Sequence, residues 1–523
     1  MNVPLVTSQA DVAILGAGPV GQLLALLLGS SGWRVEVLER RACPFDTPRA
    51  VHLDHEVARI LQGAGLMGEL LPFTEAMDAY EWRNATGEVL LAVQGGKGWS
   101  GWPESLMFCQ ADLERILARR LGEVPNTTVN WQWDVDGLED HPEGCEVTGK
   151  RADGSQASVL ARWVVACDGA SSTARRLLGV PVEDFGYSFD WVVADVIPGS
   201  PNNWRPLNLQ ICDPARPTTA VSGGTGRRRF EFLCLPGERL EDMSRPEVIW
   251  ELLQPWDLSP GNATLERHAG YRFRSRIASR WQAGPAGRVL LAGDAAHQMP
   301  PFAGQGLCAG VRDVANLAWK LDLVLSGGAP PELMTTYGSE RGPVARSEIE
   351  LSVSLGQIVC VLDAEEAAGR DATMVPAAKA TGPMSVPPPL ALGPGVTNPR
   401  DAHGGELGLQ AVVAENGRTG LFDDVVGGRG WRLLGAVGDP VAALPPALAE
   451  WYREIGGSGW HVAPGAALDD TEGSYLRWFT DLGAAVVLQR PDYRLFGTAS
   501  DIAGTAELVR AARQAVLALR TSA

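Results

Sequence analysis

Val12-Ala13-Ile14-Leu15-Gly16-Ala17-Gly18-Pro19-Val20-Gly21 carries an apolar strand directly into a G-x-G-x-x-G turn. An apolar helix pattern follows from Gln22 to Gly29, and a second strand, Arg34 to Leu38, closes on Glu39. Strand, turn, helix, strand and terminal acid in this order specify a βαβ dinucleotide-binding unit. Gly16 permits the tight turn, Gly18 lets a pyrophosphate approach the backbone, and Gly21 lets helix and strand pack closely. Pro19 and Val20 complete the turn, and the helix N-terminus offers free N–H groups and partial positive charge to phosphates. Glu39 can accept hydrogen bonds from ribose hydroxyls, with Arg40 beside it at the same end of the candidate site. A carboxylate there repels a 2′-phosphate, so the expected dinucleotide is FAD or NAD rather than NADP.

Working outward, 523 residues suggest two or three domains, and 45% apolar with 20% charged residues is ordinary for a globular enzyme. A net charge of −17, with Arg227-Arg228-Arg229 the densest basic cluster, argues against nucleic acid or an anionic membrane as partner. The eight cysteines show no C-x-x-C and no metal-ligand spacing, which reads as reduced thiols in a cytoplasmic protein. Met1 to Ala10 lacks a signal-peptide pattern, and no segment has the uninterrupted apolar length of a membrane span.

The organisation expected is α/β: a Rossmann-type FAD domain with an inserted mixed β-sheet substrate domain and a C-terminal module. Residues 1–186 read as the first part of the FAD domain, with a helix pattern in Gln110 to Leu121 and a buried strand in Arg162 to Cys167. Residues 187–276 alternate apolar and polar positions, as in Arg229-Phe230-Glu231-Phe232-Leu233, and suggest an antiparallel substrate sheet. Residues 277–364 return to the FAD domain through the strand Arg288 to Ala292 and a helix from about Gly306 to Ser326. Residues 365–405, rich in Ala, Gly and Pro without periodicity, read as a linker. Residues 406–523 form a last α/β module.

Two further motifs select FAD. One is Cys167-Asp168-Gly169-Ala170, with Ser171, Ser172 and Arg175 leading into a helix. The other is Gly293-Asp294-Ala295-Ala296-His297-Gln298-Met299-Pro300-Pro301-Phe302-Ala303-Gly304-Gln305-Gly306. With these, the chain resembles the single-component FAD-dependent aromatic hydroxylases, the p-hydroxybenzoate hydroxylase group, which show the same three signatures in the same order. Physical reading agrees. Asp294 follows a strand, a rigid edge from which a carboxylate reaches a ribitol hydroxyl, although an ordinary helix N-cap is the plainer alternative. Gly304-Gln305-Gly306 opens a helix whose N–H groups can face the flavin edge that gathers negative charge on reduction. Pro300-Pro301 stiffens the approach. The resemblance further implies that Asp168 and Gly169 serve FAD, that Gln110 lies along it, and that Arg49 lies near the pyrophosphate.

Within that group, Arg229-Phe230-Glu231-Phe232, Arg312-Asp313-Val314-Ala315-Asn316-Leu317 and Arg490-Pro491-Asp492 look most like the 3-(3-hydroxyphenyl)propionate hydroxylases, whose last domain is thioredoxin-like. The last domain here has no C-x-x-C, so a structural or dimer-forming module is expected and a homodimer is among the expected partners. The implied function is hydroxylation of a phenolic, 3-hydroxyphenylpropionate-like substrate with O2 and NADH or NADPH, through a flavin C4a-hydroperoxide. Leu307-Cys308-Ala309-Gly310 departs from that subgroup, so a larger polyketide or antibiotic phenol is the alternative. A flavin oxidase or dehydrogenase is the rival of another class. No second G-x-G-x-x-G is present, so the nicotinamide nucleotide is expected to visit without its own domain. His52-Leu53-Asp54-His55, read as a helix start, lacks a third placed ligand for a metal, and none is expected. His52 is the candidate catalytic group, orienting or deprotonating a phenol.

Overall fold

The computed structural model describes residues 6–44, 49–200 and 204–517. Pro48, beside the candidate Arg49, lies outside these residues. The nucleotide sheet has the strand order Gln282–Ala283, Val289–Leu291, Gln156–Ala166, Val6–Leu15, Val35–Glu39, Thr127–Trp131. Its four central strands and the Thr127–Trp131 edge pair in parallel. Val12, Ala13 and Ile14 are fully buried, because helices cover both faces of a parallel sheet. An antiparallel hairpin, Asp134–His141 and Gly144–Lys150, adds to the side of Gln156–Ala166.

The second sheet is larger than residues 187–276. Its eight strands run Ala263–Arg272, Asp190–Pro198, Arg228–Leu233, Thr218–Ser222, Asn208–Cys212, Ala79–Asn84, Val89–Gln94, Met384–Ser385. Two junctions, Asn208–Cys212 with Ala79–Asn84 and Met384–Ser385 with Val89–Gln94, are parallel, so the sheet is mixed rather than wholly antiparallel. Strand alternation gives it two faces. Val192, Ala194, Phe230 and Phe232 pack on the helix Pro246–Leu253, while Trp191, Asp195, Arg229 and Glu231 occupy the opposite, inner face.

Two sequence expectations are corrected here. Residues 365–405 are not an extended linker throughout: Ala364–Thr381 is a helix, capped by the Asp363 carboxylate, which accepts from the Glu365 and Glu366 N–H groups. Only Ala367 and Val375 of that helix are buried, so it carries no apolar stripe for a periodicity argument to find. His52 lies on a short strand, His52–Asp54, paired with Ser105–Met107; the helix begins one element later, at His55.

The last module has a seven-stranded sheet. Its centre is Arg432–Gly435, helix Pro446–Glu454 and the parallel strand Ser458–Ala463, then helix Ser474–Asp481, antiparallel strands Val486–Gln489 and Leu495–Ala499, and helix Thr505–Leu517. This arrangement is compatible with the thioredoxin-like domain the resemblance implies. Among the described residues no helix is long and apolar enough to cross a membrane.

Candidate active site

The glycine turn divides its labour between packing and space. Gly16 has φ +100°, and a methyl group there would meet the Cys167 carbonyl oxygen at 2.5 Å. At Gly21 a methyl would sit 2.1 Å from the Gly16 carbonyl oxygen. Gly18 has open space instead, at the N-cap of helix Pro19–Ser30, whose first turn carries neither an acid nor a side-chain cap. An uncapped N-terminus facing open space fits a pyrophosphate. Glu39 accepts from the Ala17 N–H at 2.8 Å through one oxygen and from the Arg41 N–H at 2.9 Å through the other. It thereby pins the turn, with carboxylate lone pairs left over for hydroxyl donors. Arg40 is exposed beside it.

Strand Gln156–Ala166 delivers the second motif to the same end of the sheet. One Asp168 oxygen accepts from the Ala174 N–H at 3.0 Å, while the other is buried and has no partner in the protein. Burial pushes this carboxyl above its ordinary range. An orphaned buried acceptor at the mouth of a dinucleotide turn fits a ligand that brings its own donors. Gly169 follows with φ +78°.

Strand Val289–Leu291, neighbour of Gln156–Ala166, delivers the third motif. Asp294 is exposed, with His297, Arg49 and Arg175 as the charges acting on it. Arg175 joins the two acidic motifs, donating to the carbonyls of Ala295 and Ala170 at 2.8 Å each. Gln298 also donates to Ala170, at 2.7 Å. Behind the turn, Asp313 accepts from the Gly293 N–H at 3.0 Å, lies 2.7 Å from His297 Nε2 and accepts from Arg341 Nε at 3.0 Å. Burial works to lower the His297 pKa, but Asp313 outweighs it and holds the ring above its ordinary value.

Pro301–Ala303 forms a single 3₁₀ turn, Gly304 follows with φ +65°, and Gln305 occupies the N-cap position of helix Gly306–Leu325. That helix too begins without an acid or a side-chain cap. His52 Nδ1 lies 3.1 Å from the Gly304 carbonyl oxygen, and burial lowers its pKa. Since a carbonyl only accepts, Nδ1 carries the proton and Nε2 of the neutral ring keeps its lone pair. Gln110 bridges from another helix, accepting from the Ala50 N–H at 2.8 Å and donating to Glu114 at 2.5 Å. Arg49 is exposed, and its carbonyl accepts from Arg229 of the second sheet.

The structure therefore brings the sequence-derived candidates to one edge of the nucleotide sheet, facing the inner face of the second sheet. Phe302 closes the gap, meeting Trp191 edge-on at 5.7 Å and Phe273 at 5.4 Å. On that face the Tyr271 hydroxyl donates to Glu231 at 3.1 Å, and Arg229 pairs with Asp195 at 2.7 Å. Arg175, Tyr271, Asp313 and Arg341 were not among the candidates. Arg175 and Asp313 stood inside quoted motifs, but only the fold shows what they hold. Tyr271 and Arg341 carry no local signal. Among the described residues no group of three or more His, Cys, Asp or Glu side chains could hold a metal ion.

A Rossmann turn, two acidic strand ends and an uncapped helix brought to one edge of the nucleotide sheet define a flavin-binding protein. Residues 9–352 match the family described as FAD binding domain, and residues 405–515 match the HcaD C-terminal domain. The chain is similar to a probable NADH-specific resorcinol 4-hydroxylase of Rhodococcus jostii (strain RHA1), 36% identical over 508 residues, covering 96% of this chain and 94% of that protein. It is also similar to the 3-(3-hydroxy-phenyl)propionate/3-hydroxycinnamic acid hydroxylase of Escherichia coli O81 (strain ED1a). That pair is 32% identical over 520 residues, 95% and 93% of the two chains. The solved flavin-dependent monooxygenase PieE, in complex with FAD and substrate, shares the fold at a TM-score of 0.78 and 20% identity, over 98% of this chain and 100% of that one. The chain belongs to the FAD binding domain family of single-component aromatic hydroxylases, FAD-dependent enzymes with a nicotinamide co-substrate.

Proposed function

We propose that this enzyme hydroxylates a small, uncharged phenol of the resorcinol type, using NADH, in the cytoplasm. The observation that carries this reading is the pairing on the inner face of the second sheet. A phenylpropionate needs a cation for its carboxylate, whereas Arg229 and Arg267 already address Asp195 at 2.7 and 3.7 Å, and Glu231 presents a carboxylate of its own. A hydroxyl-rich, neutral ring suits acceptors and aromatic walls better than a second anion does. The R. jostii relative, named as NADH-specific and as acting on resorcinol, supports the same choice.

In this reading residues 1–186 and 277–364 hold FAD. Gly16, Gly18 and Gly21 admit the pyrophosphate, Glu39 and Asp294 take ribose and ribitol hydroxyls, Asp168 accepts from the ligand, and Gln305 with Gly306 faces the ring. Bound FAD supplies hydride acceptance and oxygen activation. The chain supplies the rest. Phe302, Trp191 and Phe273 exclude water and hold the ring. His52 Nε2 takes the phenol proton, so that the ring is electron-rich when it is attacked.

The test is NADH consumption and product mass for the purified yellow protein with resorcinol and with 3-(3-hydroxyphenyl)propionate. Resorcinol should raise NADH oxidation and yield a product one oxygen atom heavier, with kcat/KM at least about tenfold above the acid, roughly 1.4 kcal/mol. Preference for the acid would overturn the uncharged-phenol reading. Flavin reduction by a phenol alone would make the enzyme an oxidase.

A further inference from the structure

The flavin-facing turn is tied to the last domain by an unbroken run of charged hydrogen bonds. Arg494, next to the strand Leu495–Ala499, pairs through Nη2 with Glu56 Oε1 at 2.5 Å. The other oxygen of Glu56 accepts from Arg312 Nε at 2.6 Å. Arg312 Nη1 then donates to Gln305 Oε1 at 2.9 Å, and its remaining nitrogen reaches Asp54. All three members are enclosed, with Arg494, Glu56 and Arg312 3%, 2% and 8% exposed. Arg494 is itself held from the far side, donating to the Leu390 carbonyl at 2.7 Å and to that of Gly405 at 3.4 Å.

Buried charges with two or more fixed partners stay in one geometry, because each alternative rotamer strands a charge. The arginine fork makes this directional, which a lysine point charge cannot reproduce. At the end of the run, donation to Oε1 fixes the sense of the Gln305 amide and leaves its NH2 as a donor. Gln305 also occupies the N-cap position of helix Gly306–Leu325, with no capping hydrogen bond from its own side chain, so the contact with Arg312 anchors the chain where that helix begins.

We propose that Arg494 and Arg312 are positioning residues for the flavin, acting through Glu56 to fix Gln305 and the N-terminus of the helix that follows it. The last domain, which has no thiol chemistry to offer, thus contributes to the cofactor site through one guanidinium. The inference rests on the reading that Gln305 and Gly306 face the flavin ring.

The experiment measures FAD affinity by fluorescence titration, and the flavin midpoint potential by dye equilibration, in the intact wild type, Arg494→Lys, Gln305→Ala and the double variant. Arg494→Lys should weaken oxidised FAD about threefold or more. It should weaken reduced FAD a further fivefold, a midpoint about 20 mV lower for two electrons. In the Gln305→Ala background the same substitution should have no further effect, since non-additivity marks a shared path. Should Arg494→Lys fail to fold, the paired replacement Arg494→Met with Glu56→Met removes both charges while Arg312, which loses Glu56, keeps Asp54 and Glu348 as anions, and should show the same losses. A folded variant with wild-type affinity and potential, or additive effects with Gln305→Ala, overturns the proposal. A wild-type chain that retains no FAD would instead refute the flavin reading beneath it.

Discussion

Asp294 faces solvent while the residues that aim it are sealed: His297 and Asp313 are both buried, and Gly293 is fixed through its N–H. A carboxylate presented in this way is held ready before any ligand arrives, which spares binding the cost of ordering it. Asp294→Ala should therefore weaken FAD by about tenfold or more, roughly 1.4 kcal/mol, without lowering the melting temperature of the apoprotein. Fluorescence titration with FAD checks this, and unchanged affinity would remove Asp294 from the site. At this scale the sequence was most legible where chemistry and backbone coincide. Gly16, Gly18 and Gly21 each occupy a position whose conformation or free space is visible in a motif. Arg341 was not legible, because its partner Asp313 lies 28 residues earlier and nothing local records the pairing.

Among elements, helix Thr335–Val359 carries the most consequential buried charge. Glu340 accepts from Asn316 at 2.7 Å, from Lys320 at 2.8 Å and from Arg490 of the last domain at 2.8 Å, with its side chain wholly enclosed. Burial opposes its ionisation, but Arg490 and Lys320 prevail and hold the carboxyl far below its ordinary range. A carboxyl whose pKa is depressed on folding stabilises fully above its unfolded value, about 4.3, and loses that contribution as pH falls towards the folded value. Asp313 and Asp423 are depressed in the same sense by their cationic partners, again against burial. Thermal stability should accordingly hold flat down to about pH 4.5 and fall steeply below it, as scanning calorimetry can record. Glu340→Gln should remove about 3–5 kcal/mol at neutral pH, since it takes the paired anion from buried Lys320 and leaves Arg490 with Asp492 alone, and should flatten part of that acid limb. Elements with strong periodicity, such as Gln110–Gly122, were legible in sequence. Helix Ala364–Thr381 was not, for want of a buried stripe, and neither was the pairing of Ala79–Asn84 with Asn208–Cys212, 124 residues or more apart.

For the molecule as a whole, the chain has one glycine-rich nucleotide turn, and in this reading FAD fills it. The nicotinamide must then meet the flavin transiently, without a glycine-rich turn of its own. Reduction before a phenol is present would waste reducing power as peroxide, so occupancy of the inner face should govern reduction. Stopped-flow bleaching of the flavin with NADH should be at least about tenfold faster with a good substrate bound, 1.4 kcal/mol off the barrier. Equal rates with and without a substrate shown to be hydroxylated would defeat this coupling and leave the hydroxylase activity standing. The family-level architecture was legible because its three motifs recur in order. The tight seating of the last domain, through Arg494 and Arg490, was not, since its contacts join residues 150 and more positions apart.

The order of strands in the nucleotide sheet also sets a timetable for biosynthesis. Gln156–Ala166 lies between Val6–Leu15, already made, and Val289–Leu291, still more than 120 residues from synthesis. The hairpin strand Gly144–Lys150, already made, pairs Gln156–Ala161 on that side, so at roughly 5–20 residues per second a nascent chain leaves only the Val164–Ala166 end of the edge unsatisfied, for about 6–25 s. The entire second sheet emerges in this interval apart from Ala79–Asn84 and Val89–Gln94, made earlier, and its far edge, Met384–Ser385, which follows later. Ribosome-bound intermediates of this protein should thus be clients for chaperones that shield strand edges, and slow codons placed just after residue 166 would prolong the exposure.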